Sequence, residues 1–249
     1  MAGQPYLQQY LEMFGAEVHM YNRTSFLEKR LLLVNQPILG LANTSLDHYN
    51  EEADPQLWRE FRDYLISGFP KLRTRYQPRV NKSLWRVTII QRKANRKFLQ
   101  LDSTIAKIRA LLKRERGKTF TIRVVQFEGM AAVDQAVVMS QTDILIGADG
   151  TGIMNGIYLP GNHSCLIAVL PFGVRDLIPE KGKNFETLFA KLGMRYFSLE
   201  SSAVKESPEI YERAKAKTDI IDRWFMLSQN LNISAEQLVS PILSCINKA

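Results

Sequence analysis

A short strand buried on both faces and ending in glycines restricts the fold more than any other local signal in this chain. Thr142–Gly152, TDILIGADGTG, is such a stretch. Asp143–Gly147 has the length and branching of a strand covered on both sides in a parallel sheet. Gly147, Gly150 and Gly152 make the turn that follows. Ile153, Met154, Ile157 and Tyr158 then recur at helical spacing until Leu159-Pro160-Gly161 ends the run. Strand, glycine turn and helix start, in that order, gather free backbone N–H groups and the positive end of a helix dipole at one point, which suits an anion. Two readings stay open: a phosphate cradle, or glycines that serve only positive φ and close packing. The spacing G-x-x-G-x-G is neither the dinucleotide fingerprint nor a P-loop, whose Lys-Ser/Thr is missing here.

The flanking sequence repeats the alternation. Trp85–Gln91, Phe120–Phe127, Ser164–Leu170 and Tyr196–Leu199 read as strands. Leu99–Leu112, Met130–Met139 and Phe185–Leu192 read as helices, and Pro208–Leu227 and Ala235–Asn247 as two closing helices. Strands alternating with helices at this spacing predict an α/β fold, a Rossmann-like, doubly wound, mostly parallel sheet with right-handed crossovers. Upstream, Arg30–Asn35 reads as a strand and Gln36–Asn50 as a polar loop. Asp54-Pro55 opens a helix with Leu57, Trp58, Phe61, Tyr64 and Leu65 on one face, and Lys71–Ser83 is a linker. The expected division is an N-terminal extension or lobe remnant over residues 1–83, a nucleotide-binding lobe over 84–205 and C-terminal helices over 206–249.

In such sheets ligands lie beyond the carboxyl ends of the strands. Strand Trp85–Gln91 runs into Arg92 and Arg96, and strand Asp143–Ile146 runs into the glycine turn. If both strands share a sheet, two guanidinium groups and a helix N-terminus face one crevice. The planar donor fork of arginine matches phosphate oxygens. Glu128 and Asp134 follow strand Phe120–Phe127 and can face the same crevice; Glu128 reads by default as a solvated loop acid and otherwise as a partner for a ribose hydroxyl.

The formal charge of +8 is concentrated between Arg86 and Arg123. Such a block suits a polyanion or nucleotide phosphates, while Lys107–Lys118 reads as a solvated helix face, so no nucleic-acid partner is expected. His19, His48 and His163 show no metal-ligand spacing, and no metal or resident cofactor is expected. No apolar run approaches the roughly 20 residues that cross a bilayer. Five Asn-x-Ser/Thr triplets, starting at Asn22, Asn43, Asn81, Asn162 and Asn232, favour a secretory chain over a cytosolic one. Membrane attachment is then expected only through an anchor upstream of this sequence. Cys165 lies in an apolar run, which favours a buried free thiol over a bridge to Cys245.

The motifs TIIQRKANRKFLQ from Thr88, VQFEGM from Val125, Asp134-Gln135, TDILIGADGTGIMN from Thr142, IYLPGN from Ile157 and LIAVLP from Leu166 together resemble the catalytic region of glycosyltransferase family 61. The similarity covers about Arg86–Leu199. The resemblance implies the C-terminal lobe of a GT-B fold, here with a helical C-terminal extension. It further implies inverting, metal-independent transfer from a nucleotide-sugar, usually a UDP-sugar, to a protein or glycan hydroxyl in the Golgi or endoplasmic reticulum lumen. Arg92 and Arg96 match the family arginines that hold the diphosphate, Gly147, Gly150, Thr151 and Gly152 the turn that cradles it, and Asn155 the asparagine after the turn. Asn155 reads equally as a helix-start hydrogen-bonder. Three positions depart from the family pattern: its histidine is Asp149, its asparagine after the arginines is Gln100, and its strand-end glutamate is Ala168. Asp149 reads either as the catalytic base or as a cap on the helix beginning near Thr151. The departures make a non-catalytic homologue, retained as a binding or stabilising module, the alternative function.

Overall fold

A computed structural model describes residues 83–247, apart from 116–117, 162, 180, 182 and 219–220, together with positions 55, 56, 59, 62, 63 and 66. Those six isolated positions are helical, in line with the helix opened by Pro55. The expected apolar stripe of that helix, strand Arg30–Asn35 and linker Lys71–Ser83 up to residue 82 lie outside the described residues.

Five strands form one parallel sheet: β1 (Leu84–Ile90), β2 (Thr119–Val125), β3 (Ile144–Ala148), β4 (Cys165–Leu170) and β5 (Arg195–Glu200). Their order is β2-β1-β3-β4-β5. This is the doubly wound arrangement expected from the alternation, with its topological switch between β1 and β3. Every residue of β3 and β4 is buried, as continuous apolar runs in the sheet centre require. At the edge, β2 alternates and leaves Val124 exposed.

In-register neighbours point to the same face. One face carries Val87, Ile89, Ile144, Ile146, Cys165, Ile167 and Val169. It is covered by α1 (Leu101–Leu112) through Ile105, Ile108 and Leu112 and by α6 (Ala235–Asn247) through Leu238, Ile242, Cys245 and Ile246. The four α6 residues are spaced as one helical stripe, so the amphipathic period turns them together onto the sheet. The other face is covered by α2 (Ala132–Ser140), a 3-10 segment (Thr151–Tyr158) and α4 (Lys183–Lys191). Gly156 allows the 3-10 segment to close on the sheet, since a Cβ there would lie 2.5 Å from Leu166 Cδ2.

The structure corrects several sequence expectations. Cys165 and Cys245 are both fully buried and joined in a disulfide with Cα atoms 6.0 Å apart, not left as free thiols. The sequence pattern could place each cysteine on an apolar face but could not show that the two faces meet. The expected helix Pro208–Leu227 is two elements, α5 (Ser207–Lys215) and a 3-10 segment (Ile221–Ser228). The break turns Ala214 and Met226 into one small cluster with Leu170, Val174 and Ile178; Val174 opens and Ile178 follows the short α3 (Val174–Leu177), for which the sequence carries no signal. Arg223 secures it by donating to the carbonyls of Lys217 and Leu177. Gly147 lies inside β3 opposite Ala168, not in the turn.

At the amino ends of the strands the Thr142-Asp143 part of the glycine-turn motif is structural. The Asp143 carboxylate accepts from the Arg86 backbone N–H and from its guanidinium at 2.8–3.0 Å. Thr142 and Thr88 share a hydroxyl hydrogen bond of 2.7 Å, and Arg123 donates to both. This network pins β1 to β3 on the side away from the glycine turn.

Candidate functional site at the sheet switch point

The loops after β1, β2 and β3 converge where the strand order reverses, the place where parallel sheets leave a crevice at their carboxyl edge. The β1 loop is closed at its base by Gln91, whose side chain donates to the Phe98 carbonyl and accepts the Phe98 N–H. Within it Arg96 has φ +56°, a left-handed backbone that costs a non-glycine residue about 1–2 kcal/mol. The strain is accompanied by a defined aim: Arg96 Nη1 donates to the Asp149 carbonyl at 2.9 Å, immediately before Gly150. Gly150 has φ +137°, a conformation that calls for glycine, and a Cβ there would sit 2.6 Å from Arg96 Nη1 and displace the guanidinium. Arg96 and the glycine turn therefore meet, as the sequence reading required.

Arg92 takes a different partner. Its Nε donates to Glu128 Oε1 at 2.8 Å, and the same oxygen accepts the Lys93 N–H. Burial works against the Glu128 charge, but the hydrogen bonds from the Lys93 and Glu128 backbones and from Arg92 outweigh it and hold the carboxyl below its usual range. The β1 and β2 loops are thereby joined across the crevice. Burial and then the like charge of Arg92 press the Arg96 guanidinium below its usual value, with Asp149 opposing. Two guanidinium groups held together in a half-desolvated crevice favour an anion between them.

Four buried polar atoms at this point have no hydrogen-bond partner among the described residues: Arg96 Nε, a donor, and Glu128 Oε2 and the two Asp149 carboxylate oxygens, which accept, Oδ2 being met only by the Lys181 ion pair. Such groups cost stability unless something meets them. The donor suits a phosphate oxygen, and the acceptors suit hydroxyl groups. Asp149 does not cap the 3-10 segment, whose first flanking residue is Gly150 with no side-chain cap. Its carboxylate instead lies 3.0 Å from Lys181 Nζ, with no exposed surface of its own. Lys181 also sits 5.8 Å above the Phe185 ring. Nearby, burial first and then the charges of Asp149 and Glu186 push the Tyr196 hydroxyl above its ordinary range, so it stays neutral. No motif signalled Lys181 or Tyr196. They reach the site through the α3–α4 turn and β5, and only the folded chain brings them there.

The remaining expected residues divide. Thr151 opens the 3-10 segment beside Gly150. Asn155 turns away from the crevice: its amide donates to Gln135 Oε1 at 3.0 Å and to the Gly152 carbonyl at 3.3 Å. Gln135 in turn donates to the Met130 carbonyl at 2.8 Å, so the Asp134-Gln135 and Asn155 motifs brace the β2 loop that carries Glu128. A Cβ on Gly147 would make only ordinary contacts. Gly152 differs, because a Cβ there would meet nothing within 4 Å and its φ is not left-handed. Neither packing nor conformation of the protein itself calls for glycine at 152. Gly152→Ala is expected to leave the unfolding free energy unchanged within about 0.5 kcal/mol, as at an unremarkable surface position. It is also expected to weaken binding of inorganic pyrophosphate in a calorimetric titration. Equal affinity in the two proteins would remove the turn from the site.

A model of the family described as Glycosyltransferase 61 matches residues 47–167, which contain all three loops of the crevice. Alpha-1,3-arabinosyltransferase XAT3 of Oryza sativa subsp. japonica is 28% identical over 171 residues, covering 64% of this chain. The match spans 28% of that relative's length.

Proposed function

We propose that the chain is a member of glycosyltransferase family 61, whose model matches residues 47–167, and that its crevice binds a nucleotide-sugar, a UDP-sugar first, and supports inverting transfer of the sugar to a protein or glycan hydroxyl. The observation that carries this reading is the pairing of orphaned groups at the switch point: a buried arginine donor beside the glycine turn, with two carboxylates offering free acceptors. A phosphate alone would use the donor and repel the acceptors. A diphosphate bearing hydroxylated sugars uses both kinds. Arg96 and the backbone N–H groups from Gly150 onward hold the diphosphate, Arg92 adds charge from its Glu128 pair, and Glu128 Oε2 accepts from a ribose hydroxyl.

In the reaction the acceptor oxygen attacks the anomeric carbon from the face opposite the diphosphate. A base takes the hydroxyl proton, and the diphosphate leaves with the bonding electron pair, its growing charge met by the fixed guanidinium groups. Asp149 is the acid we place in the base role. Lys181 must swing aside for it to face an acceptor. That same ion pair favours the second reading, a donor-binding homologue without transfer, in which Asp149 only anchors the turn. A secretory lumen suits either reading. The buried disulfide and the five glycosylation triplets support an oxidising compartment, and none of the described helices is long and apolar enough to cross a membrane.

Calorimetric titration of UDP into the 249-residue chain tests the donor site. Arg96→Ala removes a charged hydrogen-bond donor worth about 1.5–3 kcal/mol, so affinity is expected to fall by roughly ten- to a hundredfold. UDP heats that are equal in the variant and the parent would reject the site.

A further inference from the structure

Arg96 depends on its backbone for its aim, and the groups that fix that backbone come from the far end of the chain. We infer that Asn230–Asn232, between the second 3-10 segment and α6, is a strap that positions Arg96, with Asn230 as its positioning residue. The inference rests on the reading of Arg96 as the diphosphate ligand. The Lys97 N–H belongs to the same peptide plane as the Arg96 carbonyl, so whatever holds it sets the ψ angle of Arg96. Asn230 Oδ1 accepts that N–H at 3.1 Å. Leu231 continues the grip as a short parallel bridge: its N–H donates to the Lys97 carbonyl at 2.7 Å and its carbonyl accepts the Leu99 N–H at 2.8 Å. The Gln91 clamp closes the loop ends but touches neither Arg96 nor Lys97. The left-handed turn at Arg96 is thus held from one side by the strap and from the other by its own hydrogen bond to Asp149.

The strap is itself fixed at several points. The Leu231 side chain is fully buried in the main core. The Asn232 N–H donates to Ser201 Oγ at 2.7 Å, and its carbonyl accepts the Ser202 N–H at 2.8 Å, which ties the strap to the end of β5. Gln229 Nε2 reaches the Phe172 carbonyl beyond β4 at 3.2 Å. The strap therefore joins the carboxyl ends of β1, β4 and β5. The C-terminal extension is then part of the donor site and not an appendage to it. The side-chain acceptor at 230 is the one element of the strap that can be altered without disturbing a main-chain bridge or the core.

The test is a double-mutant cycle with UDP as the probe, read beside a ligand-free signal. Asn230→Ala is expected to weaken UDP binding by roughly fivefold, the worth of one net hydrogen bond. Asn230→Asp keeps the acceptor and is expected to restore most of that affinity. In an Arg96→Ala background Asn230→Ala is expected to change affinity by less than about twofold, because the two act as one unit. Without ligand, the Arg96 Nε–H resonance, identified by its loss in Arg96→Ala, is expected to shift in Asn230→Ala and to return in Asn230→Asp. An equal loss of affinity in both backgrounds, or an Arg96 resonance unmoved by Asn230→Ala, overturns the inference. If the parent chain takes up no UDP, the donor reading fails, and the resonance alone decides whether the strap positions Arg96.

Discussion

Replacing Cys165 and Cys245 together by alanine is expected to cost the described fold about 4 kcal/mol of stability. The bridge closes a loop of 80 residues, and the chain-entropy relation assigns a closure of that length ~4.5 kcal/mol at room temperature. Typical domains have about 5–15 kcal/mol in all, so the variant should sit near its unfolding threshold. Alanine is the informative replacement. Both sulfurs lie in a site with no exposed surface, where a serine hydroxyl would add its own unsatisfied-donor cost. The same burial keeps reductant from the native bond, so dithiothreitol should act only once the chain has opened. Urea denaturation of the oxidised protein against the double variant reads the difference as a shift in midpoint. Coincident curves would show that the bridge contributes nothing and that packing of α6 alone holds it to the sheet.

The consequence extends to the site. α6 follows directly on the strap that reaches Lys97, and its stripe Leu238, Ile242 and Ile246 lies on the same sheet face as Val87 and Ile89. Arg195 adds to the seam by donating to the carbonyls of Ser244 and Cys245. Loosening α6 therefore loosens the segment that sets Arg96, and donor affinity should fall in the double variant even at temperatures where it remains folded.

Much of this could be read from the sequence because the strongest signals are local. The five buried residues of β3 follow from one unbroken apolar run, and the meeting of Arg96 with Gly150 follows from two parallel strands that flank a switch point. What could not be read depends on tertiary pairing or on single backbone angles. Gln100 ends its loop at φ +52°, which delays α1 to Leu101, and nothing in a glutamine announces a left-handed turn. Gly147 resembles its turn neighbours in sequence, yet β3 extends through it to Ala148. The Lys181–Asp149 pair, the strap and the disulfide each join segments whose separate patterns are unremarkable. The family motifs sort in the same way once folded: Arg96 and the turn line the crevice, whereas Thr142, Asp143, Gln135 and Asn155 brace the scaffold behind it.

Asp149→Asn is expected to reduce turnover by about 10²–10⁴-fold while leaving UDP affinity within a few-fold, if the carboxylate takes the acceptor proton. The substitution preserves shape and leaves the Asp149 backbone carbonyl on Arg96 Nη1, so the diphosphate side of the crevice is undisturbed. Lys181 loses its partner, but its side chain is 22% exposed and can return to water. The converse change is harsher. Lys181→Ala leaves a fully buried carboxylate without a counter-charge, a loss of about 3–5 kcal/mol for a buried pair, and should show first as a lowered thermal midpoint. Turnover is followed as transfer to water: release of UDP from a panel of UDP-sugars under saturating donor. A parent chain that binds UDP but releases none from any sugar supports the binding-module reading. A parent that turns over while Asp149→Asn matches it within threefold moves the base elsewhere and leaves Asp149 as the buried anchor of the glycine turn. Only a turnover loss without a loss of UDP affinity makes this acid, at the position where the family carries histidine, the group that accepts the proton.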